Sequence, residues 1–176
     1  ASRRPGSVGH EVFANLLAGG FGGVVHPVNA SASSVRGVRA WTSISAVPDQ
    51  VDLAVLAVPA ESVLATVEEC GEAGVHGLVI LTAGFAEVGS ALEEADVVAC
   101  ARRHGMRLIG PNCLGVIRTT PTTSLDATFA PRRPRSGSLG LASQSGAIGI
   151  AVLAEAQRLG LGLSTFVSLG NKADVS

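Results

Sequence analysis

Short, nearly continuous apolar runs alternate along this chain with longer stretches in which apolar residues return every three or four positions. Val8, Val12, Phe13, Leu16 and Leu17 fall at helical spacing, and Gly19-Gly20 ends that helix. Gly23 to Asn29 reads as a strand, Ala30 to Arg36 as a small, Ser-rich connector, and Trp41 to Ile44 as cover for an edge. Val51 to Val58 is almost unbroken apolar sequence, the pattern of a parallel strand buried on both faces, and it stops at Pro59. Glu61 to Gly71 carries Val63, Leu64, Val67 and Cys70 on one helical stripe. Gly77 to Thr82 is the next strand, Ala91 to His104 a helix that Gly105 caps, and Met106 to Ile109 a further strand. Strand and helix alternate with short loops, which predicts a doubly wound, parallel α/β domain.

The character changes after residue 117. Thr, Pro and Arg dominate Arg118 to Gly137, including Pro131-Arg132-Arg133-Pro134-Arg135, and no period stands out. Residues 118–136 therefore read as a linker between a first domain, 1–117, and a second that starts at 137. Leu139 to Ala142 opens that second unit as a strand. A helix follows with Ile148, Val152, Leu153, Ala156 and Leu159 inward, then a strand from Leu163 to Leu169. The unit is cut short at 176.

Composition narrows the function classes. The 176 residues suffice for one domain and part of another. A net charge of −1 with 15% charged residues excludes a bulk basic surface for nucleic acid. Cys70, Cys100 and Cys113 form no Cys-x-x-Cys pair, and the four histidines sit in no metal-ligand spacing, so packing roles and no metal are expected. No apolar run is long enough to span a membrane without Gly, Pro or charge, so a cytoplasmic protein is expected. The chain opens on a loop entering a helix with no strand before it, which reads as a piece of a longer polypeptide.

Candidate chemistry gathers at glycine-marked turns. In the opening loop, Ser2, Arg3, Arg4, Pro5 and Gly6 precede a helix start, where free N–H groups and the helix dipole attract phosphate. A dinucleotide fold of the nicotinamide type would place an acid at the end of the following strand. Val28-Asn29 stands there instead, which counts against NAD. Leu108 to Gly115 reads as a strand stopped by Pro111, with Asn112 and free backbone donors leaving the sheet's carboxyl edge. Ser143-Gln144-Ser145-Gly146 is a second strand-to-helix loop; it either meets a phosphoryl group or is merely capped by Ser145, and taken alone the residues favour the cap. Glu87, after Gly84-Phe85, is either a ligand contact or a cap.

Five motifs occur in order: Val58-Pro59-Ala60, Thr82-Ala83-Gly84-Phe85-Ala86-Glu87, Gly110-Pro111-Asn112-Cys113-Leu114-Gly115, Ser143-Gln144-Ser145-Gly146 and Ser168-Leu169-Gly170-Asn171-Lys172-Ala173-Asp174. Together they resemble the nucleoside-diphosphate-forming acyl-CoA synthetases, relatives of the α subunit of succinyl-CoA synthetase. The resemblance implies a Rossmann-like CoA-binding domain with a parallel sheet, then the start of a flavodoxin-like ligase domain. It implies CoA or acetyl-CoA as ligand, with ATP and ADP handled by an ATP-grasp domain or subunit outside these residues, and a homo-oligomeric parent.

By the same resemblance, Ser2, Arg3, Arg4, Pro5 and Gly6 take the CoA phosphates, and Val58 and Pro59 line the edge beside the nucleotide and pantetheine. Leu81, Thr82 and Ala83 contact CoA near its thiol, and Gly110, Pro111 and Asn112 shape the floor. Ser143 to Gly146 receives a phosphoryl group in transit, and the phosphohistidine lies beyond these residues. Where many relatives read Asn-Pro-Lys, this chain reads Asn29-Ala30-Ser31, so Arg36 or an opening arginine would have to supply that charge. Two other parents fit the same residues: a protein lysine acetyltransferase whose ligase-like region senses acyl-CoA, and a stand-alone CoA- or nucleotide-binding module.

Overall fold

The helical spacing near the start becomes α1 (Val8–Ala18) in a computed structural model that describes residues 1–176. A two-residue hairpin, β1 (Ser34–Val35) with β2 (Val38–Arg39), turns at Arg36-Gly37. β3 (Leu53–Leu56), α2 (Val63–Glu72), β4 (Gly77–Ile80), α3 (Ala91–Arg103) and β5 (Arg107–Ile109) follow as βαβ units. Their strands pair in parallel in the order β3-β4-β5. α2 and α3 bury Val63, Val67 and Cys70, and Val97, Cys100 and Ala101, in one core with Leu78, Ile80 and Leu108. Phe85 sits in the same core and is 2% exposed.

A second sheet is built from β6 (Gly115–Thr120), β7 (Thr123–Thr128), β8 (Ser136–Ser143) and β9 (Leu163–Ser168), in the order β7-β6-β9-β8. β6 runs antiparallel to both β7 and β9, and β8 runs parallel to β9. α4 (Gly146–Arg158) lays Leu153 and Ala156 against Phe166 and Leu163.

Two expectations are corrected. Residues 118–136 are not an irregular crossing: the second half of β6 and all of β7 lie there, as a tight hairpin in the second sheet. The strand signal was hidden because the inward positions are polar. Thr119, Asp126 and Thr128 are three of the four buried polar residues in the chain. Each is bonded: Thr119 Oγ1 donates to Leu163 O, and Thr128 Oγ1 donates to Asp126 Oδ1 at 2.7 Å, so burial without apolar character is tolerated. The second correction concerns Gly23 to Asn29, which forms no strand. Only Val28 pairs, in an isolated parallel bridge with Trp41, and Val24 is 72% exposed. A strand needs a neighbouring ladder, and Pro27 has no N–H to offer one.

α1 is held by the second sheet as much as by the first. Its Val12 packs with Val79, Leu81 and Cys113. Asn15 Nδ2 donates to Thr128 O at 2.8 Å and Ala130 O at 2.9 Å. Arg133 Nη1 and Ser124 Oγ both donate to Gly19 O, at the helix's C-terminal end.

The two sheets meet where β5 ends. Gly110–Pro111 is a cis peptide, and Asn112 takes φ +55°. The segment after β9 runs back beside this turn: Asn171 N donates to Pro111 O at 2.9 Å, Ala173 N to Gly110 O at 3.2 Å, and Val175 N to Leu108 O at 3.3 Å. Asp174, whose side chain is 3% exposed, fastens the segment by accepting from Arg107 Nε at 2.7 Å, Arg102 Nη2 at 2.8 Å and Leu108 N at 3.1 Å. No helix is long and apolar enough to cross a membrane.

Burial alone would raise the Asp174 pKa, but the bonds from Arg107, Arg102 and Leu108 N outweigh it and hold the carboxyl at about 2, below its ordinary 3.8. A depressed folded pKa gives stability that is present above the unfolded pKa and lost as pH falls through the folded one. Denaturant midpoints should therefore drop as pH falls from about 4 to about 2. Asp174→Asn should cost roughly 1–3 kcal/mol at neutral pH and flatten that limb of the profile; a variant that keeps the full acid limb would mean the loss arises elsewhere.

Candidate functional site

One cavity of about 560 Å³ lies at the carboxyl ends of the first sheet's strands, the edge where ligands of open α/β sheets bind. Ala57 and Val58 after β3, Leu81, Thr82 and Ala83 after β4, and Asn112, Cys113 and Leu114 after β5 form one wall. Val8 at the start of α1, Phe129 after β7, and Gly146, Ala147 and Ile150 of α4 form the other. Ten of these thirteen residues are hydrophobic and none is charged, so the chamber suits an uncharged, extended group rather than a free ion.

Its polar ends are helix N-termini. At α1, Ser7 takes the N-cap position without capping, because its hydroxyl donates to Arg4 O at 2.7 Å. The N–H groups of Val8 and Gly9 have no acceptor in the chain. Gly6 N–H, expected to be free, is occupied by Glu11 Oε1 at 3.0 Å, since the carboxylate folds back over the entry turn. Arg3 and Arg4 are exposed and make no side-chain bond, while Ser2 Oγ accepts from Arg4 N at 3.1 Å. Arg36, held at φ +49°, brings Nη1 within 3.1 Å of His10 Nε2, and His10 Nδ1 lies 3.3 Å from Ser2 O. An imidazole protonated on Nδ1 satisfies both contacts and leaves Arg36 at the loop's entrance.

At α4 the cap is real: Ser145 Oγ accepts from Ile148 N at 3.3 Å, and Ser143 Oγ donates to Ser145 O at 2.8 Å. That leaves the N–H groups of Gly146 and Ala147 without acceptors, and both residues line the cavity. Capping and an open donor pair coexist here, so the cap does not exhaust the loop's capacity for an anion.

Of the residues singled out from the sequence, Val58, Leu81, Thr82, Ala83, Asn112 and Gly146 are brought together in the wall. Ser2, Arg3, Arg4, Pro5 and Gly6 form the turn that leads into Val8, and Ser143 and Ser145 shape the turn before Gly146 with Gln144 exposed. Pro59 steps outside the cavity to start a short 3₁₀ turn, Ala60–Ser62.

Gly110 and Pro111 lie behind the wall. The free donors expected of their turn are in use: Asn112 N donates to Thr82 O at 2.9 Å and Leu114 N to Ser168 Oγ at 2.9 Å. Glu87 turns out to close its own loop, accepting from Phe85 N at 3.2 Å and from Asn171 Nδ2 at 2.6 Å. Asn29 is spent likewise, its Oδ1 accepting from Ser31 N and Ala32 N. Cys113 is an inert packing thiol: burial pushes it up to about 12, against smaller opposing backbone bonds, and Sγ donates to Ile80 O at 3.3 Å.

Sequence reasoning missed Phe129, which lay in the stretch read as linker, and it missed Ala147 and Ile150. A signal for Ile150 existed, since it stands four places after Gly146 and so shares its side of the helix.

Asn171 joins the pieces. Its Nδ2 reaches Glu87 Oε2 and also Glu94 Oε2 at 2.7 Å, and its Oδ1 accepts from Asn112 Nδ2 at 3.3 Å. Gly170 makes this possible, with φ +59° and no room for a side chain, because a Cβ would run into Pro111 O.

Comparison with known proteins agrees with this geometry. The family described as "CoA binding domain" matches residues 1–119, and "Succinyl-CoA ligase like flavodoxin domain" matches residues 136–176. The chain is 44% identical over 177 residues to the α subunit of acetate–CoA ligase (ADP-forming) II from Pyrococcus furiosus, covering 99% of this chain and 38% of that subunit. It is 40% identical to 4-hydroxybutyrate–CoA ligase (ADP-forming) from Nitrosopumilus maritimus, covering all of this chain and 25% of the other. Dinucleotide forming acetyl-coenzyme A synthetase 1 of Ca. Korarchaeum cryptofilum, solved with phosphate and ADP, superposes with a TM-score of 0.96 at 42% identity, over 100% of this chain and 38% of that one. The chain thus spans between a quarter and two fifths of these relatives.

Gly170→Ala should lower stability by at least roughly 1–3 kcal/mol, the usual cost of a non-glycine residue at such a φ, with the backbone overlap added. An unchanged urea midpoint would show that the joint relaxes without strain.

Proposed function

The chain belongs to the CoA-binding domain family in the form found in ADP-forming acyl-CoA synthetases, and on that premise we propose that it holds coenzyme A along the cavity, with its phosphates at the entrance of α1. The observation that carries this reading is the convergence of two helix N-termini with unpaired N–H groups on one apolar chamber. The pyrophosphate meets Val8 and Gly9 N–H together with the side chains of Arg3 and Arg4, through charge-assisted bonds. Arg36 supplies the cation that Ala30-Ser31 does not. The pantetheine arm follows Val58, Leu81, Thr82 and Ala83, and its thiol ends between Asn112 and Gly146. The second site, Gly146 and Ala147 N–H, receives a phosphoryl group or the developing charge of an acyl phosphate.

The parent reaction proposed is acyl-CoA with ADP and phosphate to acid, CoA and ATP, through an acyl phosphate and a phosphohistidine outside residues 1–176. An ATP-grasp domain or subunit supplies the nucleotide site, and a homo-oligomeric parent is proposed with it. The relatives named above are ligases and synthetases, which supports this reading over an acetyltransferase fusion.

Titration calorimetry with CoA and acetyl-CoA should show saturable binding, and Arg3→Ala and Arg4→Ala should each weaken it by roughly 1–3 kcal/mol. No heat at millimolar ligand would reject the reading, and wild-type affinity in both variants would return the arginines to solvent. In competition, CoA should displace NAD and not the reverse.

A further inference from the structure

Away from the cavity, α2 and α3 bring three different metal-donor groups together. Glu68 stands on α2, and Cys100 and His104 stand four residues apart on α3 and at its C-terminal end, so they share a face. Cys100 Sγ lies 2.9 Å from Glu68 Oε2, His104 Nε2 lies 2.8 Å from Glu68 Oε1, and all three donor atoms fall within 4.8 Å of one another. The cluster sits at the helices' C-terminal ends, hence at the opposite edge of the sheet from the strand ends that line the cavity. Each helix reverses the direction of its neighbouring strand, so nothing in the CoA reading uses these groups.

The ring of His104 is seated rather than loose. It packs against Gly71 of α2, where any Cβ would run into the imidazole. Cys100 is 0% exposed, while the side chains of His104 and Glu68 are 24% and 43% exposed, so an ion has a path from solvent and a buried thiol at its end. Arg103 Nη2 donates to Glu68 Oε2 at 3.0 Å, but its side chain is 63% exposed and free to swing aside.

We propose that Glu68, Cys100 and His104 form a three-donor site for a borderline-soft divalent cation of the Zn²⁺ class, closed by a water as fourth ligand, that staples α2 to α3. Thiolate, imidazole and carboxylate are the donor set such an ion takes, and three protein ligands plus water complete a tetrahedron. The contacts now made between the donors are hydrogen bonds that the ion replaces. On loading, the Cys100 proton leaves to water. The His104 proton moves from Nε2 to Nδ1, and the ring stays neutral. One carboxylate, one thiolate and the dication then sum to zero, a charge state compatible with partial burial.

Two existing shifts describe the empty state. Hydrogen bonds from Cys100 and His104, against opposing desolvation, hold Glu68 at about 2, so the carboxylate is already ionised. Burial, reinforced by Glu68, pushes Cys100 up to about 11, so the thiol is released only by the ion itself. Sequence spacing gave no sign of the site because the donor that completes it comes from a helix more than thirty residues away.

The test uses Co²⁺ and Zn²⁺ alone with the purified full-length protein. Co²⁺ should produce a thiolate-to-cobalt charge-transfer band with the intense visible bands of tetrahedral cobalt, and Zn²⁺ should bleach them. Cys100→Ser should remove the charge-transfer band, whereas Cys70→Ser and Cys113→Ser should keep it. His104→Gln should weaken Zn²⁺ at least about tenfold and cancel the rise in Tm that Zn²⁺ gives the wild type. Absence of the band in the wild type, or a band and a Zn²⁺-dependent Tm that survive both Cys100→Ser and His104→Gln, would overturn the proposal. His104→Gln keeps the test decisive if the buried serine does not fold. CoA affinity, measured in parallel, should stay unchanged in His104→Gln, so this site and the CoA reading fail separately.

Discussion

The structure depends on one backbone-to-backbone contact, the packing of Gly170-Asn171 against Gly110-Pro111-Asn112. It is the only place where the end of the first parallel sheet and the returning chain of the second share main-chain hydrogen bonds in succession, from Pro111 O to Leu108 O. The buried carboxylate of Asp174 and the amide of Asn171 fasten the ends of that contact. A backbone contact of this kind leaves no slack. Moving either loop by a bond length breaks several directional bonds at once. The cavity inherits its shape from this rigidity, because Asn112 and Leu114 on one wall and Gly146 on the other are neighbours of the joint.

Division of labour follows from it. The residues that look most distinctive in the sequence, Gly110 and Pro111, are used for joining, whereas plain apolar residues such as Leu81 and Ile150 line the cavity. Charge is kept to the rim. Arg3 and Arg4 are exposed in the turn before α1, Arg36 stands beside His10 of that helix, and the cavity lining offers only N–H groups, apolar surface and a few neutral polar groups.

Much of the first unit was legible. Leu53 to Val58 and Leu78 to Leu81 are apolar without interruption, and buried parallel strands leave that trace. α2 and α3 likewise appear at their predicted places within one or two residues. The second sheet was legible only where it is apolar. β6 and β7 escaped because Thr119, Asp126 and Thr128 face inward, Thr119 bonding a backbone carbonyl and Thr128 bonding Asp126, and hydrophobic periodicity is blind to a polar interior. Gly23 to Asn29 erred in the other direction, since its composition suits a strand and no ladder is there to make it one. At the site, the glycine-marked helix starts were readable from local chemistry. Their meeting at one cavity was not, because it is set by contacts more than a hundred residues apart, such as Asn15 to Thr128.

The double hold on α1 has a mechanical consequence. Its first turn opens toward the cavity, while its last carbonyl and its middle amide are tied to the β6–β7 hairpin and the strand end that follows. The helix is thus a rod pinned at one end to one half of the molecule and pointing its other end at the cavity. Any tilt of the second sheet is transmitted along that rod to the entry turn before Val8, and any tightening of that turn pulls on the hairpin in return.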